Sequence, residues 1–286
     1  MITPDQVQQR VKTLPSLPTT VVSLGQAVSD DRCTVDRILG ILAKDPPLSA
    51  TMLRLANSVA YAGDNPVRDL RTAVLRMGFD AVLNLGRCAA VIRSLRSATH
   101  LDAVRLWQHS VAVGIVAKGL CRIIRRNDLA EDAFLAGLLH DIGKIALDRV
   151  FTDDYAPVVT AIREGEHAVD AEARILGITH AEVGGLVAIQ WNFPDHLVEI
   201  IRSHHDPIPG NLLSNLIHLT DLLVRSRIPN GPADDLLAFV LTEQSAFREV
   251  FSAHLAKGDL DLERLTFGID DELDHAVTFV KLAYQD

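Results

Sequence analysis

A chain of 286 residues with 48% hydrophobic residues is long enough for one large domain or two modest ones, each with a buried core. Its 28 Lys and Arg against 37 Asp and Glu leave a formal charge of −9, which excludes a general attraction to nucleic acid or to an anionic bilayer. Three scattered cysteines, Cys33, Cys88 and Cys121, form neither a disulfide framework nor a CxxC pair and read as buried thiols. The opening "MITPDQVQQR" lacks a basic segment followed by an apolar one, and no later apolar run approaches a membrane span. A cytoplasmic protein with no nucleic-acid or membrane partner is expected.

The periodicity is helical nearly throughout. "TVDRILGILAK" places Val35, Ile38, Leu39 and Leu42 on one face with Thr34 as N-cap, and Pro46-Pro47 separates it from "LSATMLRLANSVAYA". "DLRTAVLRMG" has Asp69 at its N-cap and Gly78 at its C-cap, and a further helix restarts after Asp80 in "FDAVLNLGRCAAVIRSL". Helices are then predicted over roughly 102–125, 129–148, 154–164, 168–176, 180–191, 195–204, 211–227, 232–242, 244–256 and 270–284, with no hairpin signal. The fold class is all-α. Punctuation at "HLDA" and "SRIPNGPADD" suggests an N-terminal helical subdomain over 1–100, a helical bundle over 101–228 and a helical extension over 229–286.

Eleven histidines are spread along the chain, and those in polar settings (His100, His167, His196, His254 and His275) read as surface imidazoles. The others interrupt core-like faces: His109 in "LWQHSVAVGIVA", His140 and Asp141 in "LLHDIGK", His180 in "GITHAEVGGLVA", His204 and His205 in "IIRSHHDP", and Asp221 in "LIHLTDLL". Each has an ordinary reading. His109 can be a hydrogen-bonded core residue, His180 a first helical residue after a Thr179 cap, His204-His205 helix-end residues, and Asp221 the partner of Arg225 at i,i+4. Taken together, five buried imidazoles and two carboxylates would cost several kcal/mol each, on the order of 2–7 for a neutral polar group, whereas a metal centre satisfies them jointly. Adjacent residues on a regular helix point about 100° apart, so His140-Asp141 and His204-His205 converge only on metals beside the axis or between sites. A dinuclear centre answers this, because Asp141 has two oxygens and can bridge two ions. Histidine with carboxylate suits Fe, Mn, Ni or Zn. His218, one turn before Asp221, is a substitute ligand or a partner of one.

The order His109, His140-Asp141 in "HDIGK", His180, His204-His205 and Asp221 resembles the HD superfamily of metal-dependent phosphohydrolases. Upstream, "LPSLPTTVVSLGQAV", "ILAKDPPLSATMLRLANSVAYA" and "DLRTAVLRMGFDAVLNLGRCAAV" resemble the HDOD family, the HD-related output domain of bacterial signalling proteins, so that the likeness runs from about residue 10 to 225. The resemblance implies a helical subdomain packed on an HD-type bundle. It also implies two divalent transition-metal ions bridged by Asp141, one held by His109, His140 and Asp221, the other by His180, His204 and His205. Asp45, Asn57 and Ser58 match family positions and read as caps and ties between helices.

Two functions follow from the resemblance. In the first, a signalling output module acts through a protein partner or a ligand. In the second, a metal-dependent phosphohydrolase cleaves a nucleotide or related phosphoester, with Asp141 on the metals and Lys144 reaching the phosphate from the same helix, unless Lys144 forms an ordinary salt bridge with a neighbouring carboxylate. Active HD-GYP phosphodiesterases carry Gly-Tyr-Pro after the paired histidines, where this chain reads "HHDPIPGNLL". Some members place an acidic residue one turn before the first ligand histidine, where this chain has Arg105, which cannot bind a cation.

Overall fold

The computed structural model describes residues 2–57, 65–227, 241–258, 260–261, 273 and 276–281. Among these residues there are helices and turns but no strand, in agreement with the all-α expectation. The chain divides into two compact units, Met1–Leu14 with Ser97–Asp274 and Pro15–Arg96 with His275–Asp286. These boundaries differ from the breaks at 100 and 228. The first fourteen residues go with the later unit because α1 (Pro4–Val11) buries Val7 and Val11 there. Arg10 Nη1 also donates to Val150 O at 2.9 Å, and Ile2 N to Leu176 O at 2.7 Å. The stretch 229–286 is shared between the units, and Ala276, Phe279 and Val280 are buried. Of the predicted helices 232–242 and 270–284, residues 232–240, 270–272, 274–275 and 282–284 lie outside the described residues.

The smaller unit contains α2 (Thr19–Val28), α3 (Val35–Leu42), α4 (Pro46–Ala56), α5 (Leu70–Met77) and α6 (Phe79–Ser94). Local chemistry sets its helix ends. The Thr34 hydroxyl accepts from Arg37 N, Asp69 from Thr72 N, and Gly78 turns the chain at a φ of 83°. Two starts are earlier than predicted. Asp45 caps α4 by accepting from Leu48 N at 3.0 Å, so Pro46 opens the helix instead of separating two, and α6 begins at Phe79. Asn57 behaves as a tie: its amide donates to Leu53 O and Val67 O and accepts from Val67 N at 2.7 Å. Ser58 lies outside the described residues. Cys33 is half-buried, while Cys88 and Cys121 are buried as expected.

The larger unit adds α7 (Ala103–Ile123), α8 (Ala130–Leu139), α9 (Ile142–Val150), α10 (Thr152–Arg163), α11 (Ala168–Ile175), α12 (His180–Gln190), α13 (Asp195–Ser203), α14 (Leu212–Arg225), α15 (Ser245–Val250) and α16 (Ser252–Lys257). None of the described helices is long and apolar enough to cross a membrane. The predicted helix 129–148 is two helices, because the backbone leaves α geometry at Asp141, where ψ is 8°. The predicted helix 244–256 is likewise interrupted at Phe251.

Two glycine contacts bring the helices of this unit close. A Cβ at Gly137 would stand 2.6 Å from Gly114 Cα, which lets α7 and α8 touch through their backbones. A Cβ at Gly143 would stand 1.9 Å from His180 O, which does the same for α9 and α12. The Asp148 carboxylate, fully buried, accepts the backbone N–H groups of Thr99, His100 and Leu101 and so pins the segment entering α7.

Candidate metal centre

The break between α8 and α9 solves the orientation problem posed by adjacent His140 and Asp141. His140 closes α8 and Asp141 opens α9 without capping it, so both side chains are released into the bundle interior. His109 comes from α7, His180 is the first residue of α12 after the Thr179 cap, His204 closes α13, and Asp221 lies in α14. All six are buried, and His205 is half-buried.

The distances gather the seven expected residues around Asp141. Its Oδ1 lies 3.2 Å from His180 Nε2 and 3.5 Å from His204 Nε2, while its Oδ2 lies 3.4 Å from His140 Nε2 and 3.9 Å from His109 Nε2. Asp221 Oδ1 is 3.0 Å from His109 Nε2 and 3.5 Å from His140 Nε2. Two donor sets able to hold an ion result, Asp141-His180-His204-His205 and His109-His140-Asp141, sharing the one carboxylate.

The donor chemistry fits a metal. Nδ1 of His140 faces Gly137 O at 2.6 Å, Nδ1 of His204 faces Ile201 O at 2.7 Å, and Nδ1 of His180 faces Glu172 Oε2 at 2.7 Å. A proton on each Nδ1 leaves Nε2 as the ring nitrogen that points inward. There the Nε2 atoms crowd one another, His109 to His140 at 3.3 Å, His180 to His204 at 3.3 Å and His205 to His180 at 2.8 Å. Nitrogens this close need a positive charge among them, carried by a proton or by a cation. Asp141 Oδ1 is buried and accepts no hydrogen bond, as expected of an oxygen kept for a cation. His109 Nδ1 is also buried without a partner.

The field of the cluster draws positive charge inward. Burial opposes ionisation of Asp141, but the Lys144 ammonium and the His140 imidazole outweigh it and hold the carboxyl well below its usual range. Burial likewise opposes ionisation of Asp221, where Arg225 wins. Burial works against a charged His140, yet Asp141 and Asp221 push it up to about 10. His204, where burial dominates, falls to about 4, and His205 is depressed by burial and by its imidazole neighbours.

Two residues are engaged differently from the phosphohydrolase expectation. Lys144 is buried with its ammonium 2.8 Å from Asp141 Oδ2. Asp221 faces the histidines and also carries Arg225 on both oxygens, so its ordinary i,i+4 pairing and its place in the cluster coexist. His218 donates Nδ1–H to His204 O at 2.7 Å and so supports the backbone of a cluster member. Arg105, one turn before His109, pairs with Asp102 at 3.4 Å. Of the histidines set aside as surface residues, His167 and His196 are exposed, His100 and His254 are half-buried, and His275 lies outside the described residues.

Glu172 was missed by the sequence reading. It is fully buried, accepts from His180 N and Nδ1, both at 2.7 Å, and receives the Tyr155 hydroxyl at 3.0 Å. Its only sequence signal is the second of two acids in "DAEARILG", eight residues before His180, which looks like any solvent-facing charge on a helix.

The HDOD domain profile matches residues 14–207, a span that includes His109 through His205 and stops short of Asp221. An uncharacterised protein of Treponema pallidum (strain Nichols) is 27% identical over 207 residues, covering 70% of this chain, which thus spans only 39% of that protein's length. An HDOD domain protein of unknown function from Geobacter sulfurreducens has a similar fold, with a TM-score of 0.82 at 22% identity, covering 99% of this chain and 100% of that one. A candidate phosphohydrolase from Shewanella amazonensis gives 0.76 at 24% identity, covering 97% and 98% of the two chains. A candidate signal transduction protein from Marinobacter aquaeolei gives 0.74 at 24%, covering 98% of this chain and 65% of that one.

Proposed function

The chain belongs to the HDOD domain family, and from that premise we propose that it is a bacterial signalling output module whose His/Asp cluster holds two divalent transition-metal ions and which acts by binding a protein partner or a ligand. The observation that carries the metal reading is the shared carboxylate of Asp141, set between two groups of inward-facing Nε2 atoms. His109, His140 and Asp221 hold one ion and His180, His204 and His205 the other. Iron, manganese, nickel and zinc all suit this donor set.

The regulatory reading is favoured over turnover by the state of the cations. The groups available to receive a phosphate, Lys144 and Arg225, are both committed to carboxylates of the cluster. Six of the seven ligands are buried, so an approaching ligand meets His205 first. The second reading, phosphoester hydrolysis, rests on the completeness of the donor set, with Asp141 bridging and Lys144 as the phosphate contact. Metal ions bound there would supply Lewis acidity to a phosphoryl oxygen.

Elemental mass spectrometry of untagged protein purified without added metal is the decisive measurement, with His140→Ala/Asp141→Ala as the control. Near-stoichiometric iron, manganese, nickel or zinc, lost in the control, is expected. No bound metal even after reconstitution would overturn the metal reading. Nucleotide and phosphoester screens of the loaded protein are expected to give turnover no higher than Asp141→Asn, and clear Asp141-dependent hydrolysis would replace the regulatory reading with the enzymatic one.

A further inference from the structure

On the reading that the His180 group holds an ion, we propose that Glu172 is a positioning residue that fixes His180 as an Nε2 donor, serving that half of the cluster alone.

The need for such a residue follows from where His180 sits. His140 and His204 each close a helix, so each satisfies Nδ1–H with the carbonyl three residues back in its own helix, Gly137 O and Ile201 O respectively. His180 opens α12 and has no preceding turn of its own helix to supply a carbonyl. Glu172, reaching across from α11, takes that place with one oxygen that accepts both the ring Nδ1–H and the His180 backbone N–H. The same carboxylate lies at the N-terminus of α12, where the backbone donors favour negative charge. Its other oxygen is held by Tyr155, also fully buried, so the carboxylate has little freedom to rotate. Once Nδ1 is committed, Nε2 is the atom that faces Asp141 Oδ1 at 3.2 Å and the Nε2 of His204. A carboxylate behind a ligating imidazole also raises its basicity, which a backbone carbonyl does less strongly.

The test uses the full chain, with zinc alone as the probe, titrated into chelator-treated protein against a chromophoric competitor. Glu172→Gln keeps an acceptor for Nδ1–H but removes the charge. It is expected to weaken one of two sites about tenfold and leave the other within twofold. Glu172→Met removes the acceptor, and a loss nearer 100-fold at the same site is expected. Nitrogen NMR of the His180 ring in metal-free protein supplies a readout that a merely structural role would not move. The Nδ1–H form should dominate in the parent and in Glu172→Gln and give way to the Nε2–H form in Glu172→Met. Two sites unchanged within twofold in folded Glu172→Gln would overturn the proposal, and this variant decides alone if Glu172→Met does not fold. A parent chain that binds no zinc would overturn the metal reading instead, and the ring form of His180 would then decide the part played by Glu172: unchanged in folded Glu172→Met, or not Nδ1–H in the parent, it overturns the proposal.

Discussion

The two units bury different kinds of residue. In the smaller one the buried polar side chains among the described residues are Thr51 and Asn84, and its polar chemistry lies at helix ends, in Thr34, Asp45, Asn57 and Asp69. The larger unit encloses His109, His140, Asp141, Lys144, Asp148, Glu172, His180, His204 and Asp221. An interior of that kind is stable only when each charge meets a countercharge or a ligand, so every element around it must be placed to within a hydrogen-bond length. The first unit is an exercise in capping and apolar packing; the second trades stability for a cluster. Substitutions should therefore be tolerated differently in the two.

The sharpest contrast is between two helical glycines. Gly143→Ala would put a Cβ 1.9 Å from His180 O and 2.7 Å from Gly184 N, both backbone atoms that cannot step aside. A loss of about 3 kcal/mol or more in urea unfolding is expected, with loss of bound metal as α12 moves off α9. In Asp148→Ala the N–H groups of Thr99, His100 and Leu101 lose their acceptor, and about 2 kcal/mol should be lost. Equal tolerance of Gly143→Ala and of Gly40→Ala in the smaller unit would remove the distinction between the units. Gly40→Ala in α3 is the counterpart: the added Cβ meets nothing within 4 Å, so a gain of about 0.5–1 kcal/mol is expected. A loss there would mean that the smaller unit packs more tightly than its helix faces indicate.

The smallest effect is a pH dependence. The backbone N–H and hydroxyl of Thr72 hold the Asp69 carboxyl below its ordinary value of 3.8. Because the folded value is the lower one, this cap contributes fully above 3.8 and is lost as the pH falls through the folded value. Acid titration of the thermal midpoint should be slightly shallower in Asp69→Asn, which keeps the capping oxygen but cannot titrate. An identical titration would show that the cap adds nothing in acid.

Much of the smaller unit was legible because its signals are local. The apolar spacing around Ile38 and Leu42, the caps at Thr34 and Asp69 and the stop at Gly78 lie within one turn of what they govern. The cluster was legible for a different reason: imidazoles and carboxylates interrupting apolar runs mark buried polarity, and the structure brings the seven together. The break at Asp141 was not legible, since "LLHDIGKIAL" contains no proline and carries helical spacing on both sides. Lys144 reads from the sequence either as a phosphate contact or as the partner of a neighbouring carboxylate, and the choice was not legible because spacing gives a face of a helix but does not say what covers that face.

The amino-acid order by itself determined the all-α class, the helix ends at Thr34, Asp69 and Gly78 in the smaller unit and which histidines and aspartates come together, because periodicity, capping and the cost of buried polar groups act through neighbours in sequence or through composition. Only the tertiary structure decided that α1 joins the later unit, that Lys144 is buried, that Asp221 faces His109, and that Glu172 stands behind His180. Each of these depends on which helix faces which, and that is set by close backbone contacts such as Gly143 on His180 and Gly137 on Gly114, between residues that the sequence places far apart.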